Sequence, residues 1–181
     1  RLDCVAVGHL REEKDPRTLW RALGLLEPGL PIRVRHIGAA LDPELGRQAR
    51  ELMASDRRFR WNGPLPHGLA RSAIRDAHLL VHPSVMEGGA NVIVEAITAG
   101  TPVVASRVSG NVGMLGRNYP GYFEVGDAQG LARLLASLVR DPAALRELRQ
   151  ACGDRRKLFS PARERQALRR LVLGLLGRDR R

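Results

Sequence analysis

Cysteine is scarce in this sequence, which disfavours a disulfide-stabilised or zinc-organised fold. The 181-residue chain has only Cys4, in an apolar strand-like run, and Cys152, near the end of a helical pattern. Two thiols give neither a disulfide framework nor a zinc site, and we expect a protein of the reducing cytoplasm. No apolar run approaches the ~18 residues that span a bilayer, and no signal peptide opens the chain. A membrane partner is therefore not expected.

Aromatic residues and lysines are also few. Aromatics make up 4% of the chain, and Lys14 and Lys157 are its only lysines, yet the net charge is +11. A basic chain invites a nucleic-acid interpretation, but this one lacks the aromatic platform on which bases stack. The richness in Arg, Ala, Gly and Leu is typical of high-GC coding bias. The charge fits an anionic small molecule or an acidic partner domain better, so we expect no nucleic acid as partner.

Several catalytic motifs are absent. The chain has no Asp-x-Asp pair to hold a metal on a diphosphate, no G-x-x-x-x-G-K-[ST] phosphate loop and no G-x-S-x-G elbow. Their absence disfavours NTPases and α/β-hydrolases. His78 and His82 are four residues apart, but on a strand this is ~13 Å, too far to share an ion. We expect neither a metal nor another cofactor.

Short apolar runs alternate with helical patterns along the chain. Three of the helical patterns begin at Asp-Pro, an N-cap followed by proline at the first helical position, which favours a helix start. The alternation predicts a doubly wound α/β fold, a parallel sheet covered by helices, with its ligand site beyond the carboxyl ends of the strands. The predicted strands are 2–8, 32–38, 59–63, 78–84, 102–108 and 121–126. The predicted helices are 15–26, 42–55, 67–77, 90–100, 127–140, 141–156 and 160–177.

The ends of the first and third predicted strands carry candidate binding residues. Gly8 ends the first strand, and Lys14 follows just before a helix start. Glycine permits close backbone approach, and helix N-terminal amides attract phosphate. A charge-assisted hydrogen bond from Lys14 would contribute ~1.5–3 kcal/mol, more than the ~0.3–1 kcal/mol of the helix dipole. A solvated loop with Lys14 facing water is the alternative. Gly63 follows the third strand in a turn, residues 62–68, that by itself predicts only a loop.

Two carboxylates distinguish the segment from residue 82 to residue 107. Glu87 opens the run EGGAN, whose flexible amides at a helix start suit an anion or a sugar oxygen. Glu95, eight positions later, lies among apolar neighbours one turn inside the helix. An unpaired buried carboxylate is costly, so ligand hydroxyls would supply its donors; a pair with a nearby arginine is the alternative. The face expected to pack on the sheet comprises Ile93, Ala96, Ile97 and Gly100.

These groups are expected to share one crevice, because the carboxyl ends of parallel strands lie at the same edge of a sheet. Lys14 and the glycine amides would hold a diphosphate. Glu87 and Glu95 would hold the hydroxyls of two sugar rings. The combination favours a nucleotide-sugar as the ligand.

The segments VGHL…EKDP, WNG and PSVMEGGANVIVEAITAGTPVVAS follow one another in this order over nearly the whole chain. They resemble the C-terminal, donor-binding half of GT-B glycosyltransferases with the E-x7-E motif, a large retaining family that includes sucrose and mannosyl transferases. The resemblance implies that Glu87 contacts the transferred sugar, Glu95 the ribose and Lys14 the diphosphate, with Glu87 and Lys14 as the catalytic pair. The other donor-binding positions it implies are Gly8, His9, Arg11, Gly63, Leu65, Gly88, Gly89, Ala90 and Asn91.

The chain departs from the family pattern at two places. His9 stands where the family has a phosphate-binding arginine, and Arg11 is a candidate to compensate. The loop SGNVGMLG, 109–116, replaces the usual GG…E. With YPGYFEVGD, these departures resemble a narrower group, the selenosugar synthases of selenoneine biosynthesis, which transfer a sugar from a UDP-sugar to selenophosphate. Arg107 and Asn111 are then candidate acceptor-binding residues.

The resemblance also implies a domain organisation. Residues 1–160 would form a nucleotide-sugar-binding Rossmann-like domain, and 161–181 an amphipathic helix that packs toward an N-terminal GT-B domain absent from this chain. The chain opens within an apolar strand, as expected if an upstream half precedes it, and the domain alone is expected to be inactive. Two alternatives stay open: a transferase of the same fold that acts on a lipid or saccharide, and a basic module that binds anions or nucleic acid.

Overall fold

The computed structural model describes residues 1–178. Six strands form one sheet in the order β3-β2-β1-β4-β5-β6, and every strand pair is parallel. The chain therefore winds outward twice from the centre of the sheet, which confirms the predicted doubly wound α/β class. The strands are β1 (Leu2–Val7), β2 (Ile32–Ile37), β3 (Phe59–Trp61), β4 (Leu79–His82), β5 (Val103–Ser106) and β6 (Tyr122–Phe123).

Eight α-helices connect and flank the strands, with short 3-10 helices at Glu12–Lys14 and Arg156–Phe159. Asp15, Asp42 and Asp141 each cap a helix whose first residue is proline, and each aspartate accepts a hydrogen bond from a first-turn amide. These caps satisfy amides that lack an intrahelical partner. The α-helices are α1 (Pro16–Leu25), α2 (Pro43–Ser55), α3 (His67–Asp76), α4 (Asn91–Ala99), α5 (Ser109–Leu115), α6 (Ala128–Arg140), α7 (Pro142–Asp154) and α8 (Pro161–Arg178).

The centre of the sheet carries the core. Every residue of β4 and β5 is buried, as expected for parallel strands covered on both faces. The face of α4 that lies on these strands contains Ile93, Ala96 and Ile97, none of which is exposed to solvent. Gly100 does not belong to that face. It is an exposed left-handed C-cap with φ 83°, a conformation that glycine adopts without steric cost.

The segment 109–116 was expected to be a loop, and this expectation is wrong. Ser109–Leu115 forms α5. Two glycines in seven residues weaken the intrinsic helix signal, so packing rather than propensity determines this helix. Leu115 and Asn111 are its buried residues.

The C-terminal helix α8 covers the first part of the predicted segment 161–181, and residues 179–181 lie outside the described residues. The side chains of α8 that the structure describes are all exposed. Within residues 1–178, no helix has both the length and the apolar character needed to cross a bilayer. The boundary proposed at residue 160 stays a prediction.

Candidate functional site

The carboxyl ends of β1 and β4 meet where the chain changes winding direction, and here Lys14 contacts Glu87. Lys14 lies in the 3-10 helix after β1, with its aliphatic stem over Gly8. Glu87 lies in the loop between β4 and α4. Lys14 Nζ donates to Glu87 Oε1, and the two side chains are 20% and 10% exposed. The alternative of a Lys14 that faces only water does not hold.

Glu87 receives further hydrogen bonds from the end of β4. His82 Nε2 lies 3.0 Å from Glu87 Oε1 and 3.2 Å from Ser84 Oγ. Hydrogen bonding to His82, and then to Lys14 and Ser84, lowers the pKa of Glu87 to about 2 against the opposing effect of burial. Burial lowers the pKa of His82, so at neutral pH its imidazole is uncharged and its Nε2–H donates a hydrogen bond to the Glu87 carboxylate.

Ser84 was not predicted as a site residue, and a packed or solvated His82 was favoured over a His82 that lines the pocket. The available signal was position: both lie at the carboxyl end of a fully buried strand, within five residues of Glu87. A histidine between an apolar strand and a proline predicts packing as readily as function, and only the structure shows its contact with Glu87.

A small recess lies beneath the Lys14–Glu87 pair. Its volume of about 10 Å³ is at the lower limit of what can hold one water molecule. His36, on β2, contributes to its wall and donates from Nε2 to the Gly8 carbonyl at 3.0 Å. Burial lowers the pKa of His36 to about 4. The wall behind Lys14 is therefore a neutral, hydrogen-bonded imidazole.

Close backbone packing joins the first three strand ends. A Cβ at Gly38 would lie 1.9 Å from the Gly8 carbonyl oxygen, and Gly38 has φ 154°. The Gly38 amide donates to the Gly63 carbonyl at 2.8 Å, and Gly63 has φ 66°. Gly8 and Gly63 thus both contact Gly38 at one edge of the sheet, and the close approach of Gly38 to Gly8 needs a residue without a side chain at position 38.

The remaining residues predicted near these strand ends have mixed surroundings. His9 is exposed, and its Nδ1 accepts a hydrogen bond from the Ala39 amide at 3.0 Å, so the ring is held against the loop after β2 and its proton lies on Nε2. Arg11 is exposed, and Leu65 is partly buried against the core. Their roles toward a ligand stay predictions.

The glycine-rich start of α4 presents backbone amides. Gly88 and Gly89 are exposed, and Ala90 is the N-cap before Asn91. No side chain caps this helix, so first-turn amides remain available to a ligand. This arrangement can accept an anion or a sugar oxygen.

Glu95 has a different partner from the Lys14–Glu87 pair. Its Oε1 is 2.8 Å from Nε2 of His67 at the start of α3, so its partner is a histidine rather than the arginine considered above. Glu95 also borders a concavity of about 340 Å³ whose wall includes Arg71 and Arg75. The structure therefore shows a contact between two of the three key side chains, Lys14 and Glu87. The placement of all three around one ligand stays a prediction.

The two candidate acceptor residues follow β5. Arg107 lies 4.7 Å from the ring centre of Tyr122 and 3.6 Å from Glu124. Asn111 is fully buried, and its Nδ2 donates to the Ser106 carbonyl at 2.9 Å. Arg107 is accessible to an anion, whereas the Asn111 Nδ2 is engaged within the fold and its Oδ1 is buried without a hydrogen-bond partner among the described residues.

Across residues 1–178, no cluster of three or more His, Cys, Asp or Glu side chains has an arrangement that could hold a metal. Groups in this part of the chain that can bind an anionic ligand include the Lys14 ammonium and the backbone amides at the start of α4. That the chemistry needs no metal stays a prediction.

Comparison with known proteins identifies relatives of this chain. The chain is 31% identical over 144 residues to a D-inositol 3-phosphate glycosyltransferase of Corynebacterium urealyticum, covering 75% of this chain and 34% of the relative. A second enzyme of that name, from Corynebacterium glutamicum, is 32% identical over 111 residues, 58% of this chain and 27% of the relative. The chain thus spans between about a quarter and a third of the length of these curated relatives.

Among solved structures, Anabaena HepE in complex with UDP and glucose superposes with a TM-score of 0.71 at 22% identity. The match covers 87% of this chain and 43% of that one. HepE in complex with UDP-glucose gives a TM-score of 0.73 at 19% identity. These likenesses show the fold. The family model described as "Glycosyl transferases group 1" matches residues 2–158, and the chain therefore belongs to this glycosyltransferase family.

Proposed function

We propose that this chain is the donor-binding half of a glycosyltransferase that uses a UDP-sugar. The observation that carries the proposal is the contact between Lys14 and Glu87 at the strand ends where the winding reverses. Ligands of doubly wound sheets bind at such points. The HepE complexes with UDP and UDP-glucose support UDP as the carrier.

In this proposal different residues bind the diphosphate, the transferred sugar and the ribose of the donor. Lys14 and the amides of Gly88 to Asn91 neutralise the diphosphate as negative charge develops on it. Glu87, ionised and fixed by His82, orients the hydroxyls of the transferred sugar. Glu95 binds the ribose, and its hydrogen bond to His67 is exchanged for ribose hydroxyls.

For the acceptor we propose a small phosphorylated anion. The resemblance to selenosugar synthases favours selenophosphate, whose selenium would attack the anomeric carbon while the bond to UDP breaks. The curated relatives are named for D-inositol 3-phosphate, which shares the phosphate group. Arg107, 45% exposed, is the side chain we propose for it. Incubating the complete protein with UDP-sugars and each acceptor, with products identified by mass spectrometry, distinguishes the two.

Calorimetric titration of this chain with UDP tests the donor assignment. We expect saturable binding that Lys14→Ala weakens by roughly ten- to a hundredfold, the worth of one charge-assisted hydrogen bond. Lys157→Ala is the matched control, since Lys157 is the other lysine and is exposed in the 3-10 helix after α7. Folded protein that does not bind UDP, or equal affinities for the two variants, would refute the assignment.

A basic nucleic-acid-binding module remains the rival from another class. It predicts a salt-dependent gel shift with duplex DNA that UDP does not alter. Nothing in that function requires a neutral histidine that fixes a carboxylate, and the His82–Glu87 contact favours the transferase.

A further inference from the structure

The loop that carries Glu87 packs directly on α5. Gly110, in the first turn of α5, faces the Glu87 peptide so closely that a Cβ there would lie 2.1 Å from the Glu87 carbonyl oxygen and 3.0 Å from its Cβ. Contacts under about 3 Å cannot be accommodated without movement of one partner, because protein interiors are close-packed. The position of α5 thus fixes the backbone from which the Glu87 side chain extends.

Buried hydrogen bonds fasten the same two segments together. Ser106, at the end of β5, donates from Oγ to the Ser84 carbonyl oxygen. Asn111 donates from Nδ2 to the Ser106 carbonyl oxygen at 2.9 Å, with Ser106 Oγ at 3.3 Å. All three side chains are fully buried. Ser84 in turn contacts His82, which contacts Glu87.

We propose that Ser106, Gly110 and Asn111 form a clamp that positions Glu87 for the transferred sugar. The clamp residues touch neither Lys14 nor the recess beneath it; they act through Ser84, His82 and the Glu87 peptide. They are positioning residues, and Asn111, considered above for the acceptor, belongs to this group. The proposal rests on the proposed function, in which Glu87 contacts the sugar rather than the UDP.

Gly110→Ala tests the clamp and has a matched control on the same helix. Gly113→Ala adds the same methyl group to α5, but no atom lies within 4 Å of the new Cβ. The first readout is the pKa of the Glu87 carboxyl from ¹³C NMR, and the second is the affinity for a UDP-sugar and for UDP, by calorimetry. Neither readout requires turnover.

We expect Gly110→Ala to raise the pKa of Glu87 from about 2 toward its ordinary 4.5, since its donors no longer align. Affinity for the UDP-sugar should fall about tenfold, the loss of one hydrogen bond to a charged group, with affinity for UDP unchanged. Gly113→Ala should match the parent in both readouts. A merely structural role for Gly110 would change both affinities together and leave the Glu87 pKa where it is.

Ser106→Ala deletes one buried oxygen and serves as the second variant if Gly110→Ala does not fold. A folded Gly110→Ala or Ser106→Ala chain with an unchanged Glu87 pKa overturns the clamp. If the parent fails to bind UDP while the pKa of Glu87 still rises in the variants, the proposed function is wrong, and the clamp only fixes the structure around Glu87. If the affinity for the UDP-sugar falls and the pKa of Glu87 rises in the same variants, the clamp and the proposed function are both supported.

Discussion

Lys14 and Glu87 are 73 residues apart in the sequence, and the structure joins them in a salt bridge between the ends of β1 and β4. Neither residue is in a strand of the sheet: Lys14 ends the 3-10 helix after β1, and Glu87 lies in the loop before α4. The pair is nearly buried, and His82 contacts the same Oε1 atom. A carboxylate with these donors must stay ionised near neutral pH.

This arrangement predicts acid sensitivity. Because the pKa of Glu87 is lowered from 4.5 to about 2, the folded state holds this proton less tightly than the unfolded state. Stability from this group is fully present above pH 4.5 and is lost as pH falls toward 2. Urea unfolding from pH 6 to pH 2 should show a smaller decline for Glu87→Gln than for the parent. Parallel curves for the two proteins would contradict the buried ion pair.

Buried imidazoles predict a second decline at higher pH. Burial lowers the pKa of His36 from 6.5 to about 4, so the unfolded chain binds a proton between these values that the folded chain does not. The free energy of unfolding should therefore fall by at most about 3 kcal/mol as pH drops from 6.5 to 4. His36→Gln should flatten the curve in this window. Some slope should remain, since burial lowers the pKa of His82 as well. An unchanged slope in His36→Gln would show that His36 is protonated in the fold.

Gly38→Ala should lower the free energy of unfolding, although it adds only one methyl group. The new Cβ would lie 1.9 Å from the Gly8 carbonyl oxygen at a backbone φ of 154°, and overpacking of this kind costs about 1–3 kcal/mol. Gly68→Ala, in the first turn of α3 with no atom within 4 Å of the new Cβ, is the matched control. It should change the free energy of unfolding by no more than about 1 kcal/mol. Equal stabilities for the two variants, by chemical denaturation, would refute the close approach of Gly38 to Gly8.

Periodicity and turn chemistry were enough to predict the six strands, and the Asp-Pro caps located helix starts. Local pattern failed at α5, where Gly110 and Gly113 lower helix propensity and tertiary packing decides. Local pattern also did not identify His67 as the hydrogen-bond partner of Glu95, since His67 lies 28 residues earlier in the sequence. Contacts across crossovers carry no local signal. The His82–Glu87 contact spans only five residues, but a histidine at a strand end before a proline was expected to be packed or solvated rather than to line the pocket.

The exposed face of α8 gives a prediction about the rest of the protein. Leu168, Leu171, Val172 and Leu175 recur at helical spacing and are 50–61% exposed, so they form an apolar stripe. We propose that it packs on an upstream half, since this chain spans only 34% of a curated relative of the same family. Leu168→Ser with Leu171→Ser should change the stability of the isolated chain by less than about 0.5 kcal/mol.

The control for the α8 double variant is Leu135→Ala, at a fully buried position in α6. This substitution should lower the free energy of unfolding by about 2–5 kcal/mol in the isolated chain and in the complete protein. In the complete protein, the α8 double variant should instead lower the melting temperature and the rate of sugar transfer, because the stripe would then be covered. If it destabilises the isolated chain as Leu135→Ala does, the stripe packs within this domain. If it leaves the complete protein unaffected and abolishes binding to anionic vesicles, the basic, apolar helix contacts a membrane surface and the upstream half docks elsewhere.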